Sequence, residues 1–244
     1  MVWTAMLLPN AAPNTTKDMN HPNRSSRYNQ TVISTMRNIF AIIFCAAAFV
    51  LPAQAASGAP ASALERGAQE LGVWAGYSPS NPTLIGTTTD RQFFELNVQY
   101  SRVLLSRQGW ALKYLGELVP VAIISQPRQN AAFADIAGSK RNIYGGGISP
   151  IGLQVNFRRA HRLQPFVNGT AGILYFTDQV PAAGSSQFNF GVSWGGGVQI
   201  WHREDQSLSF GYKFHHISNA NSATRNPGVD SNLFYGGYSW SWKH

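Results

Sequence analysis

Three residue types that a nucleophilic hydrolase needs lie close together near the C-terminal end: the imidazole of His216, the hydroxyl of Ser218 and the carboxylate of Asp230. In acyl transfer the hydroxyl attacks a carbonyl, the imidazole takes its proton, and the acid fixes the imidazole's tautomer. The developing oxyanion needs hydrogen-bond donors. Candidates are the side chains of Asn219 and Asn226 and backbone N–H groups around Asn221. Asn226-Pro227-Gly228 is equally plain turn chemistry, and a His and a Ser two residues apart recur by chance. Residue parity is what adds weight. His216 and Ser218 share a strand face with Leu208, Phe210, Tyr212 and Phe214, so the polar pair continues an apolar stripe. A hydrolytic pair on an apolar surface points to a lipid ester as substrate. His215, on the opposite face, reads as a hydrogen-bonding residue of the interior.

The elements that must position these groups are strands. Aromatic residues are as frequent as charged ones, each 12% of the chain, and glycine is plentiful at 23 residues. Apolar content is spread as alternation without long runs, which is how a membrane-spanning β-barrel reads. Eight alternating segments can be marked: Leu71–Tyr77, Phe94–Ser101, Trp110–Ile124, Asn142–Phe157, Pro165–Phe176, Phe188–Ile200, Leu208–Ser218 and Asn232–Trp242. Pro150 interrupts the fourth and implies a bulge, because proline cannot donate to a ladder. The last segment places Phe234, Gly236, Tyr238, Trp240 and Trp242 on one side, an aromatic closing strand suited to a membrane interface.

Long and short connections alternate between these segments, with the long ones expected at Ser78–Arg91, Ser125–Arg141 and Asn219–Val229. Short turns at one end and longer loops at the other are the asymmetry of an outer-membrane barrel. The expected fold is therefore all-β: an eight-stranded antiparallel up-and-down transmembrane barrel. With a periplasmic N-terminus, the connection between strands seven and eight is external. His216, Ser218 and Asp230 then share the lipid-facing parity of their strands and converge on the outer wall, near the outer leaflet's headgroups.

The beginning of the chain reads as an address, not as part of the fold. Met36-Arg37-Asn38, the apolar run from Ile39 to Leu51 and the sequence Pro52-Ala53-Gln54-Ala55-Ala56 have the layout of a secretory signal peptide at 36–55, cleaved after Ala55. Residues 1–35 are a disordered leader or follow from a start assigned upstream of Met36, and 56–244 form the barrel domain. The single cysteine, Cys45, falls in the apolar run, which leaves the mature chain without a thiolate nucleophile or a disulfide. The formal charge of +8 is partly in the leader. Its densest cluster (Arg158, Arg159, His161 and Arg162) occupies a short expected turn and reads as solvated and near lipid phosphate, not as a nucleic-acid surface.

The run His216-x-Ser218-Asn219-Ala220, followed by Asn226-Pro227-Gly228 and an acidic residue, resembles the signature of the PagL-type lipid A 3-O-deacylases. The motif likeness covers roughly Gly211 to Phe234, and the barrel layout extends it loosely over the mature chain. The resemblance implies an outer-membrane enzyme that hydrolyses the 3-O-linked acyl chain of lipid A, with lipopolysaccharide of the Gram-negative outer leaflet as its partner and no metal or organic cofactor. It implies His216 as base, Ser218 as nucleophile and Asp230 as orienting acid. The family pattern has Glu at the acidic position, so Asp230 is one methylene short. A homodimer is compatible with the sequence and not specified by it. The rival expectations are a non-catalytic barrel of the OmpA/OmpX type, serving structure or adhesion, and a barrel phospholipase or acyltransferase.

Overall fold

The structure, a computed structural model, describes residues 63–243. The expected leader and the signal peptide at 36–55 lie outside the described residues.

Eight strands form one closed antiparallel ring: β1 (Gln69–Ser78), β2 (Gln92–Ser106), β3 (Trp110–Gln129), β4 (Asp135–Phe157), β5 (Leu163–Val180), β6 (Ser186–Trp201), β7 (Gln206–Ser218) and β8 (Val229–Trp242). Each strand pairs with its sequence neighbour, and β1 closes on β8 with Gln69 opposite Trp242 and Tyr77 opposite Phe234. Closure leaves no unpaired edge, a condition any sheet must meet in hydrocarbon. The expected barrel is the observed fold.

The alternation in the sequence translates directly into two faces. Ile151, Leu153, Val167, Tyr175, Phe190, Trp194, Phe234 and Trp240 are exposed on the outer wall. The lumen is filled by side chains, many of them polar. Lys113 Nζ donates to Glu70 Oε2 at 2.8 Å and to Gln199 Oε1 at 3.2 Å. Lys213 Nζ donates to Glu117 Oε1 at 3.0 Å and sits 4.1 Å from the centroid of the Trp74 ring. Charges this deeply buried are tolerated because each has its partner. Nearer the end that bears the long connections, the filling becomes apolar, with Phe93, Ile124, Ile143, Phe176, Ile217, Val229 and Leu233 in one cluster.

Pro150 falls where the β4–β5 register shifts, between Ile148 and Ile151, as its missing N–H requires. The connection expected at Ser125–Arg141 is instead mostly strand. β3 and β4 continue past the apolar alternation, pairing Gln126 with Arg141 and Pro127 with Lys140, and only residues 130–134 turn. Hydrophobic periodicity marks the part of a strand that meets lipid. The ladder itself continues on backbone hydrogen bonds, which polar residues make equally well.

The two long connections, residues 79–91 and 219–228, lie at the same end of the ring. Longer loops are the external ones in outer-membrane barrels. The basic cluster at Arg158–Arg162 forms the β4–β5 turn at the opposite end.

Candidate active site

β7 and β8 pair so that His216 stands directly opposite Asp230. The imidazole meets the carboxylate there, with His216 Nδ1 2.7 Å from Asp230 Oδ1. A carboxylate can only accept, so Nδ1 is the donor in this contact, and in the neutral ring Nε2 is the nitrogen left to accept. Ser218 lies two residues beyond His216 at the end of β7, on the same outward face, where its register partner is Phe190 of β6. Among the described residues no hydrogen bond joins the Ser218 hydroxyl to the imidazole.

The outward orientation follows from the neighbours. His216 is opposite Val192 and Ser218 opposite Phe190, and both of those apolar side chains are exposed on the wall. Below them Trp194 packs on Phe214 at a centroid distance of 4.6 Å, and Tyr212 packs on Phe234 at 5.5 Å. The polar pair thus tops an apolar surface, as strand parity predicts. On the other side of the wall, Ile217 and Val229 are register partners next to the His216–Asp230 pair and sit within the interior apolar cluster. Close packing behind the wall holds the strand pair that carries the imidazole and the carboxylate.

Asp230 is fully buried although it belongs to the outer face. The covering element is the β1–β2 connection. Backbone N–H groups of Leu84 and Ile85 donate to Asp230 Oδ2 at 2.7 and 2.8 Å, and that of Gly86 donates to Oδ2 at 3.0 Å and Oδ1 at 3.1 Å. Thr87 N donates to the Pro227 carbonyl at 2.8 Å, and Thr88 Oγ1 to the Gly228 carbonyl at 2.8 Å. Sequence reasoning missed these donors entirely. Backbone N–H groups have no side-chain signature, and Leu84-Ile85-Gly86-Thr87-Thr88 shows nothing beyond an ordinary loop.

Two glycines make the close approach possible. A Cβ on Gly86 would lie 2.9 Å from the Gly228 carbonyl carbon and 3.0 Å from Val229 N, against backbone that cannot yield. Gly228 has φ +62, and a Cβ there would reach 2.9 Å from His216 Cε1.

The two asparagines serve the β7–β8 loop. Asn219 is fully buried, and its Nδ2 donates to the Arg225 carbonyl at 2.8 Å. Asn226 Oδ1 accepts from Asn219 N at 3.0 Å, and its Nδ2 donates to Asn221 Oδ1 at 3.2 Å. The turn begins with Ala220 and Asn221, both left-handed at φ 50 and 62. His215 points inward, 5.2 Å between ring centroids from Phe93 and 3.9 Å from Glu95 Oε1, apart from the outer-wall groups. Among the described residues, no group of three or more His, Cys, Asp or Glu side chains is placed to hold a metal ion.

Several solved structures are similar to this chain. The outer membrane enzyme PagL is 15% identical, with 69% of this chain and 97% of that one covered and a TM-score of 0.48. Neisserial surface protein A is 11% identical, covering 72% and 99% with a TM-score of 0.45. OprG from Pseudomonas aeruginosa is 14% identical, covering 75% and 99% with a TM-score of 0.45. With TM-scores below 0.5, these likenesses carry no argument about this chain. No curated protein matches the chain. The lipid A 3-O-deacylase (PagL) family model matches residues 93–239, more than half of the chain, and that span includes His216, Ser218 and Asp230. This outer-membrane β-barrel belongs to the lipid A 3-O-deacylase family.

Proposed function

We propose that the protein removes the 3-O-linked acyl chain of lipid A in place, with Ser218 as nucleophile, His216 as general base and acid, and Asp230 as the orienting acid. The observation that carries this is the 2.7 Å contact between His216 Nδ1 and Asp230 Oδ1, on the outward face that also bears Ser218. Ser218 Oγ attacks the ester carbonyl carbon while its proton passes to His216 Nε2. The tetrahedral intermediate collapses with cleavage of the bond to the sugar oxygen, which takes the proton from His216 and leaves as an alcohol. Water then attacks the acyl-serine, giving its proton to His216. Collapse releases the fatty acid, and the proton returns to Ser218 Oγ. The buried carboxylate stabilises the imidazolium at both stages.

The oxyanion donors are assigned to the turn immediately past the nucleophile: backbone N–H groups around Ala220 and Asn221, with the Asn226 amide beside them. Asn219 is left in a structural part, since it is fully buried with its amide closed on Arg225, whereas the Asn226 amide is partly exposed and keeps a second N–H beyond the one given to Asn221. The serine–imidazole contact forms on the bound ester, as catalytic hydrogen bonds often tighten only in the complex. Lipopolysaccharide of the outer leaflet is the substrate because the site stands at the loop-bearing end, above exposed Phe190, Val192 and Trp194. Export is assigned to a signal peptide at 36–55, with the barrel domain following it.

The test is covalent trapping. A fluorophosphonate ester should label Ser218, identified by peptide mass spectrometry, with labelling absent in Ser218→Ala and strongly slowed in His216→Ala. Active enzyme that is labelled at another residue would overturn the assignment.

A further inference from the structure

We infer that the β1–β2 connection is a positioning strap for the acid: Leu84, Ile85 and Gly86 hold the short carboxylate of Asp230 against His216 through their backbone N–H groups. This rests on the role proposed for Asp230. The pattern of exposure sets backbone apart from side chains here. Leu84 is 72% and Ile85 54% exposed, whereas the carboxylate that their N–H groups reach is fully buried. Both carboxylate oxygens are engaged: Oδ2 receives three backbone donors, and Oδ1 lies between Gly86 N and the imidazole. An aspartate has one fewer rotatable bond than a glutamate. With both oxygens anchored, the carboxylate has no alternative orientation, and the oxygen facing Nδ1 stays fixed.

The strap's own position is set independently of Asp230. Thr87 N binds the Pro227 carbonyl, Thr88 Oγ1 binds the Gly228 carbonyl, and Gly86 lies flat on the Gly228 backbone where any Cβ would collide. The strap thus pins the start of β8 and the loop that precedes it. Residues 84–88 lie more than a hundred positions from the acid in sequence (Leu84 and Asp230 are 146 apart). They act through Asp230 and are positioning residues, not catalytic ones.

The test uses the full barrel refolded into vesicles that contain lipid A, with acyl release measured to separate kcat from KM. Folding of every variant is checked by the compact, heat-modifiable gel band. Ile85→Pro removes one donor, and Gly86→Ala lifts another off the carboxylate. Each should lower kcat about a hundredfold with KM nearly unchanged, as expected for a small misplacement of the base. Ile85→Ala keeps the N–H, and its kcat should exceed that of Ile85→Pro by more than about tenfold. Thr88→Val, a milder change, should lower kcat by about tenfold. In an Asp230→Asn background none of these should reduce kcat further, because positioning an acid that is absent has no consequence. Wild-type kcat in folded Ile85→Pro and Thr88→Val, with Asp230→Asn impaired, would overturn the strap and leave the acid's role intact. Wild-type kcat in Asp230→Asn would overturn both.

Discussion

His216 and Asp230 face each other across β7 and β8 as direct register partners, with 2.7 Å between Nδ1 and Oδ1. A glutamate at this position would be one methylene longer, yet the aspartate spans the gap, because strand pairing already places the two residues opposite one another. Asp230→Asn should lower kcat by about a thousandfold or more, through loss of the carboxylate that sets the tautomer. Asp230→Glu should lower it less, by about tenfold, since the longer side chain must displace the donors of residues 84–86. Steady-state acyl release from lipid A separates the two variants, and an Asp230→Glu variant faster than wild type would contradict the fit.

The apolar wall beside the nucleophile is expected to hold the acyl chain. Phe190 is the register partner of Ser218 and is exposed, with Phe188 packed edge-on at 5.3 Å. Phe190→Ser should raise KM about tenfold while changing kcat little, because uniform binding is what it removes. A fall in kcat at unchanged KM would mean that the ring acts at the reacting centre instead.

Inside the barrel, Lys213 and Glu117 form a buried pair at 3.0 Å. Lys213→Met leaves Glu117 as an uncompensated buried charge and should destabilise the barrel by about 3–5 kcal/mol. Adding Glu117→Gln should recover most of that loss. Urea-dependent folding into vesicles measures both, and an additive double variant would contradict the pairing.

The outward face is predicted to meet hydrocarbon. Ile151 is 70% exposed on the outer wall in the second half of β4, opposite Ala171. Ile151→Lys should cost about 2–4 kcal/mol in the same folding measurement. A neutral effect would place this residue outside the bilayer core.

Much of this was legible in the sequence, for identifiable reasons. The two-residue period of lipid-facing strands revealed the barrel, and the parity of His216 and Ser218 put both on the outer wall. The family motif from Gly211 to Phe234 narrowed the chemistry. Two things were hidden. The β3–β4 hairpin extends beyond Ile124 and Asn142 on polar residues such as Gln126, Lys140 and Arg141, where apolar alternation carries no signal even though Gln126 is buried. The strap at Leu84–Thr88 works through backbone N–H groups, which every residue except proline has, so no residue type marks it. Gly86 is the one trace, and its meaning depends on Gly228 lying against it, a contact that only the closed ring creates.

The most direct test is mass spectrometry of lipid A from cells carrying the wild type or Ser218→Ala, with both barrels verified in the outer membrane. The wild type should convert lipid A to a species lighter by one hydroxyacyl chain at the 3 position, and Ser218→Ala should leave it intact. Equal deacylation by both would contradict Ser218 as the nucleophile, and intact lipid A in both would contradict the proposed activity itself.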